Sequence, residues 1–121
     1  MTTQTETTHA GDFIISEANG NRSRDNATLK SGQDLQAGAV IGKITSGGKW
    51  VAYDPSASDD SQTNLGILLS AVDASGGDTA CVVIARDAEV NADQLVYKDV
   101  SPAPVPATAA IRLAAVGIIV R

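Results

Sequence analysis

The sequence predicts a mainly β fold: a small barrel or sandwich with one short C-terminal helix and a flexible N-terminal arm. Three observations lead there. Apolar runs of strand length recur along the chain, separated by glycine-bearing turns. The run "VIGKIT" alternates between two faces. Near the end, three prolines and then an alanine-rich stretch replace that pattern with a helical one. The chain has 121 residues, the size of one ordinary domain. Aromatic residues make up only 3%, so the core must be assembled from Val, Ile, Leu and Ala.

Taken in order, Met1 to Ala10 is polar, Thr-rich and aperiodic, and reads as a disordered tail. Phe13 to Ser16 is a short, isolated apolar strand. Asn19-Gly20 follows as a turn, since both residues tolerate positive φ. Arg22 to Asn26 reads as a polar loop and Ala27 to Lys30 as the start of a second strand. Val40 to Thr45 is a strand with Val40, Gly42 and Ile44 on one face, and Lys43 and Thr45 on the other. Ser46-Gly47-Gly48 turns the chain into Lys49 to Tyr53, where Trp50 and Ala52 share a face. Asp54-Pro55 ends that strand, because proline cannot donate to a ladder.

"SASDDSQTN" is a surface loop of small polar residues. Leu65 to Val72 is a continuous apolar run, and Asp73 to Asp78 a turn around Gly76-Gly77. Thr79 to Val90 is the longest strand expected, its consecutive apolar residues pointing to cover on both faces. Asn91 to Gln94 forms a corner before Leu95 to Tyr97. A helix from about Ala107 to Val116 ends at Gly117. Arg112 is its one charged residue, so it is expected to be largely buried. "IIVR" closes the chain as a strand.

Composition narrows function by exclusion. The net charge is -5 and the isoelectric point about 4.6. Nucleic-acid binding needs a basic patch to displace counterions, and Arg22 and Arg24 are flanked by Glu17 and Asp25. An anionic membrane is equally unattractive, and no apolar stretch reaches spanning length. "MTTQTETTHAG" has neither the basic start nor the apolar middle of a signal peptide, so the chain is expected to stay in the reducing cytosol that makes it, or to be assembled there into something larger. The single cysteine, Cys81, cannot form an internal disulfide and reads as a small buried hydrophobe.

Catalysis needs a positioned nucleophile, base or metal. The single histidine, His9, lies in the tail, where nothing holds it against a target. Asp54, Asp59 and Asp60 do not have the spacing of a calcium loop. No phosphate-cradling glycine motif occurs. The expectation is a protein that is not an enzyme and carries no cofactor or metal. An alternative is a trimeric β-rich binding module or a lipoyl/biotinyl-like carrier domain, which "LQAGAVIGKI" suggests. Carrier domains display a modified lysine on a hairpin tip, and Lys49 beside Gly48 is the nearest lysine here.

The phrases "DFIISEANGNRSRDNATL", "LQAGAVIGKI", "GKWVAYDP", "NLGILLSAVDA" and "AAVGIIVR" together resemble the head decoration proteins of tailed bacteriophages, the lambda decoration protein type. The resemblance runs from about Gly11 to Arg121. It implies a β-tulip fold and homotrimers on the outer surface of the virion, at local threefold positions of the expanded icosahedral capsid. These would cement the head against packaged DNA after synthesis in the host bacterial cytoplasm. The partner implied is the major capsid protein. Residues 1–26 would form the flexible capsid-binding arm and 27–121 the decoration domain. Phe13, Ile14, Ile15 and Ser16 would add a strand to a sheet edge of the shell, with Arg22 and Arg24 bridging its acidic groups. Two alternatives stay open: the strand pairs within its own domain, and the arginines are plain solvated charges.

Overall fold

Alternate residues of the central strands enter two different cores, and this division organises the molecule. The computed structural model describes residues 13–18, 22–54, 58–91, 95 and 107–121. Among them the chain forms β1 (Ile14–Glu17), β2 (Arg24–Leu29), β3 (Asp34–Leu35), β4 (Val40–Lys43), β5 (Trp50–Ala52) and β6 (Leu65–Leu68). It continues through β7 (Val72–Asp73), β8 (Thr79–Ile84), β9 (Ala88–Val90), α1 (Ala107–Ala114) and β10 (Ile118–Val120). The fold is mainly β, with one short C-terminal helix, as the sequence predicts.

Five strands close a barrel in the order β2-β5-β4-β6-β8. The longest ladder pairs β2 with β8 antiparallel, from Arg24 opposite Ile84 to Leu29 opposite Thr79. Antiparallel neighbours β5 and β6 flank β4, and β6 pairs with β8. The seam is slight: β2 and β5 meet in parallel at Leu29 and Trp50, and the Lys30 amide donates to the Trp50 carbonyl at 2.9 Å.

The barrel interior holds Leu29, Ile41, Trp50, Leu68, Cys81 and Val83, so every barrel strand contributes. Leu35 of β3 and Ala74 beside β7 join the same core; β3 and β7 pair antiparallel as a separate ribbon. Gly66 shows why this small space can hold an indole. A Cβ there would stand 2.6 Å from Val83 Cγ1 and 3.1 Å from the Trp50 ring, so a side chain would displace one of them.

The outward residues of the same strands, Val40, Leu65, Ile67 and Ile84, enter a second core on one flank. A separate sheet, in the order β1-β9-β10, and the helix close over them. They supply Phe13, Val90, Leu113 and Ile118, all fully buried. This two-sided burial explains the run of apolar residues on β6, where all four positions are buried.

Several expectations change. Thr79 to Val90 is two strands, because the chain leaves the barrel at residues 85–87 to join the flanking sheet. Asp87 takes a positive φ of 53° at that bend, and the Ala85 amide donates to the Ser23 carbonyl at 2.8 Å. Leu65 to Val72 breaks after Leu68 for a related reason, since Val72 belongs to the β3–β7 ribbon. The polar stretch Arg24 to Asn26 is strand, not loop. The β8 ladder satisfies its backbone, and Arg24 and Asp25 each find an opposite charge.

The helix buries one face only. Ala109 and Leu113 are fully buried, whereas Ile111 is 69% exposed. Alanine is tolerated in either setting, so a scarcity of charge does not by itself bury a helix. Its end is as expected: the Gly117 amide donates to the Ala114 carbonyl at 3.0 Å, with Gly117 at φ 83°. In the loop before β6, Ser61 is buried where surface was expected. Gly42 makes this possible, because a Cβ there would lie 1.9 Å from the Ser61 carbonyl oxygen. The expected tail, with His9, the Asn19-Gly20 turn, most of the Asn91–Gln94 corner and the prolines lie outside the described residues.

Candidate functional site

The six residues expected to meet a partner divide into two groups. Phe13 is fully buried in the flank core, and Ile14 packs against it. The strand they lead pairs antiparallel with β9 of its own domain, Ile14 opposite Val90 and Glu17 opposite Ala88. Backbone bonds pin both ends. The Phe13 carbonyl accepts from the Asn91 amide at 2.8 Å, and the Ala18 amide donates to the Asp87 carbonyl at 3.0 Å. Over its described part, the stretch expected to be a separate arm is therefore built into the domain, and the expected boundary at residue 26 falls inside β2. The physical reason is Phe13, the chain's one phenylalanine, which gains more by filling the flank core than by exposure.

Pairing on one side leaves the other side of β1 without a strand neighbour among the described residues. The register slips by one residue between Ile14 and Ser16, so Ile15 and Ser16 together oppose Glu89. This bulge turns Ile15 outward, at 53% exposure. Across β9, Ile119 of β10 also lies opposite Glu89 and is 40% exposed. Two isoleucines thus flank Glu89 on the outer face of the flanking sheet. The Glu89 carboxylate accepts from Arg121 Nε at 3.1 Å and from its Nη2 at 3.3 Å. Sequence reading missed Ile119 because "GIIV" at a chain end looks like an ordinary core strand; the sheet order is needed to see which residue faces out.

The two arginines also differ. Arg24 is committed to Glu17, with Nη2 to Oε1 at 2.5 Å and Nε to Oε2 at 3.1 Å. The same carboxylate accepts from the Ser23 hydroxyl, itself fully buried. The Arg24 bonds, aided by Ser23 and opposed by partial burial, hold Glu17 below the usual carboxylate range. The cluster ties β1 to β2. Arg22 is far more exposed, its Nε 3.6 Å from Asp87 Oδ2. Ile15, Ser16 and Arg22 are therefore exposed, whereas Phe13, Ile14 and Arg24 are engaged within the domain.

The other candidates are occupied locally. Cys81 lies inside the barrel, where burial pushes its thiol pKa up, away from reactive thiolate. Asp59 accepts from both the amide and the hydroxyl of Ser61. Lys49, the residue nearest a carrier lysine, is paired with Asp78 at 2.5 Å. Among the described residues, no group of His, Cys, Asp and Glu could hold a metal ion.

With the barrel, the flanking sheet and its open edge in place, the family comparison is decisive. The model of the family described as bacteriophage lambda head decoration protein D matches residues 3–118. The chain belongs to this head decoration family. Members are structural proteins of the phage capsid, which places the chain with the virion and in association with the head. No curated protein matches it.

Proposed function

We propose that this decoration-family protein binds as homotrimers to the outer surface of the expanded icosahedral head, at local threefold positions. There it cements the shell against the pressure of packaged DNA, acting mechanically and not as an enzyme. The observation that carries this reading is the family match over nearly the whole chain. The structure supports a contact with the major capsid protein through the outer side of β1. Ile15 and Ser16 provide its exposed face, Arg22 a nearby cation, and the free side of the strand accepts an added strand of the shell. Phe13, Ile14 and Arg24 act on this contact by holding β1 in place. Because β1 is already ordered by its own domain, docking costs little further conformational entropy. Three such contacts on one trimer then reinforce one another through effective concentration. A protomer that binds only the expanded lattice stabilises that lattice by mass action.

Mixing the purified full chain with undecorated shells tests this directly. The protein is expected to sediment with expanded shells and to stay in solution with unexpanded ones. Failure to sediment with expanded shells overturns the proposal. Light scattering of the shell-free protein and of protein eluted from shells should report a trimer in at least the second sample; a monomer in both contradicts the trimeric arrangement.

A further inference from the structure

A cleft of about 660 Å³ opens between the barrel and the C-terminal end of the helix. Its volume lies within the range of ordinary ligand sites. Its charge runs against that of the chain. Lys43, Arg86 and Arg112 line it against one carboxylate, Asp25, although the protein as a whole carries -5. Arg86 is neutralised in place: its Nη1 and Nη2 donate to the two Asp25 oxygens at 3.0 and 2.6 Å, and Nη1 also donates to the Arg22 carbonyl. Among the described residues, Lys43 and Arg112 take part in no ion pair. They enter the cleft from different elements, one at the end of β4 and one on α1, so neither the hairpin nor the helix alone accounts for their meeting.

We propose that this cleft binds an acidic peptide segment of a partner protein, its carboxylates taken by Lys43 and Arg112. The rest of the wall suits a peptide. Thr45, Thr63 and Asn64 offer hydroxyl and amide groups to a backbone, and Leu65 and Val116 give apolar contact to side-chain stems. A nucleic-acid backbone fits less well. Two uncompensated cations beside the Asp25 carboxylate, on an acidic protein, do not offset a dense row of phosphates. None of the residues lining the cleft lies on β1, so peptide binding there is tested apart from the proposed docking of that strand.

Fluorescence anisotropy with a labelled hexa-aspartate peptide and the full chain, at low salt, is the test. Wild-type protein is expected to bind, with affinity falling as salt rises. The double variant Lys43→Glu and Arg112→Glu should lose affinity by about tenfold or more, since both charges are reversed. Arg121→Glu lies outside the cleft and should bind as wild type does. A thermal melt of each variant checks that it is folded. No binding by wild type, unchanged affinity in a folded double variant, or tighter binding of a hexathymidylate probe than of the peptide would each overturn the assignment.

Discussion

The barrel interior and the flank core contain similar residues but are closed in different ways. Around the interior, five strands supply one another's hydrogen bonds in a ring, which leaves no sheet edge among them. The flank core is covered by three short strands and an eight-residue helix, and that cover stops at β1 on one side. Its exposed surface carries Ile15, Ile111 and Ile119. Stability and contact are thus divided between the two regions. The ring has its backbone satisfied all round and its apolar residues covered on the inside and on the flank, whereas the flanking layer is sealed on its inner face and open on its outer one.

Breaking the ring should cost most. Trp50→Ala empties the largest interior side chain, and about 3–5 kcal/mol of stability should be lost in urea unfolding. Phe13→Ala makes the corresponding hole in the flank core. A loss of about 3 kcal/mol is expected, and a variant as stable as wild type would mean that Phe13 is not core at all. Comparing the two sharpens the division: the Phe13 variant should also weaken shell binding, because β1 loosens, whereas any such loss in the Trp50 variant should follow global unfolding.

A smaller effect is expected at the cluster that ties β1 to β2. Glu17→Gln should cost about 1 kcal/mol at neutral pH, since the carboxylate is partly exposed and its bonds are partly screened. Glu17 titrates below its ordinary value in the folded protein. Its contribution is therefore complete above the unfolded-state pKa and disappears as pH falls through the folded-state one. Unfolding measured from pH 7 down to pH 3 should show the gap between wild type and variant closing at the acid end. Least affected should be Ile15→Ser, which removes an outward side chain: stability should stay within about 0.5 kcal/mol of wild type. Co-sedimentation of that variant with expanded shells should nonetheless fall.

The parts of the fold that local chemistry dictates were legible in the sequence. The Gly47-Gly48 turn places both glycines at positive φ, and the hairpin it joins pairs as expected. Gly117 ends the helix for the same steric reason. What was not legible depended on residues far apart in the chain. A continuous apolar run from Thr79 to Val90 suits one strand covered on both faces as well as two strands in different sheets, and only the bend at Asp87 separates these. The choice between the two partners left open for β1 is of this kind. Nothing local to Phe13 indicates that Val90 lies across from its neighbour Ile14. Of the six residues named from sequence as partner contacts, Ile15 and Arg22 are indeed exposed. The inward role of Phe13, the pairing of Arg24 with Glu17 and the exposure of Ile119 needed the sheet order.

The central claim is that β1 belongs to its own domain before any shell is present. Native-state hydrogen exchange of the free protein addresses it at two amides, Ala18 and Asn91, which bond the strand to its neighbours at either end. Both should be protected, exchanging thousands of times or more slower than an open chain if they open only with the flanking layer. Exchange of both at open-chain rates, while the β8 amides stay protected, would show a strand that is free until the shell supplies its partner, and would contradict the account.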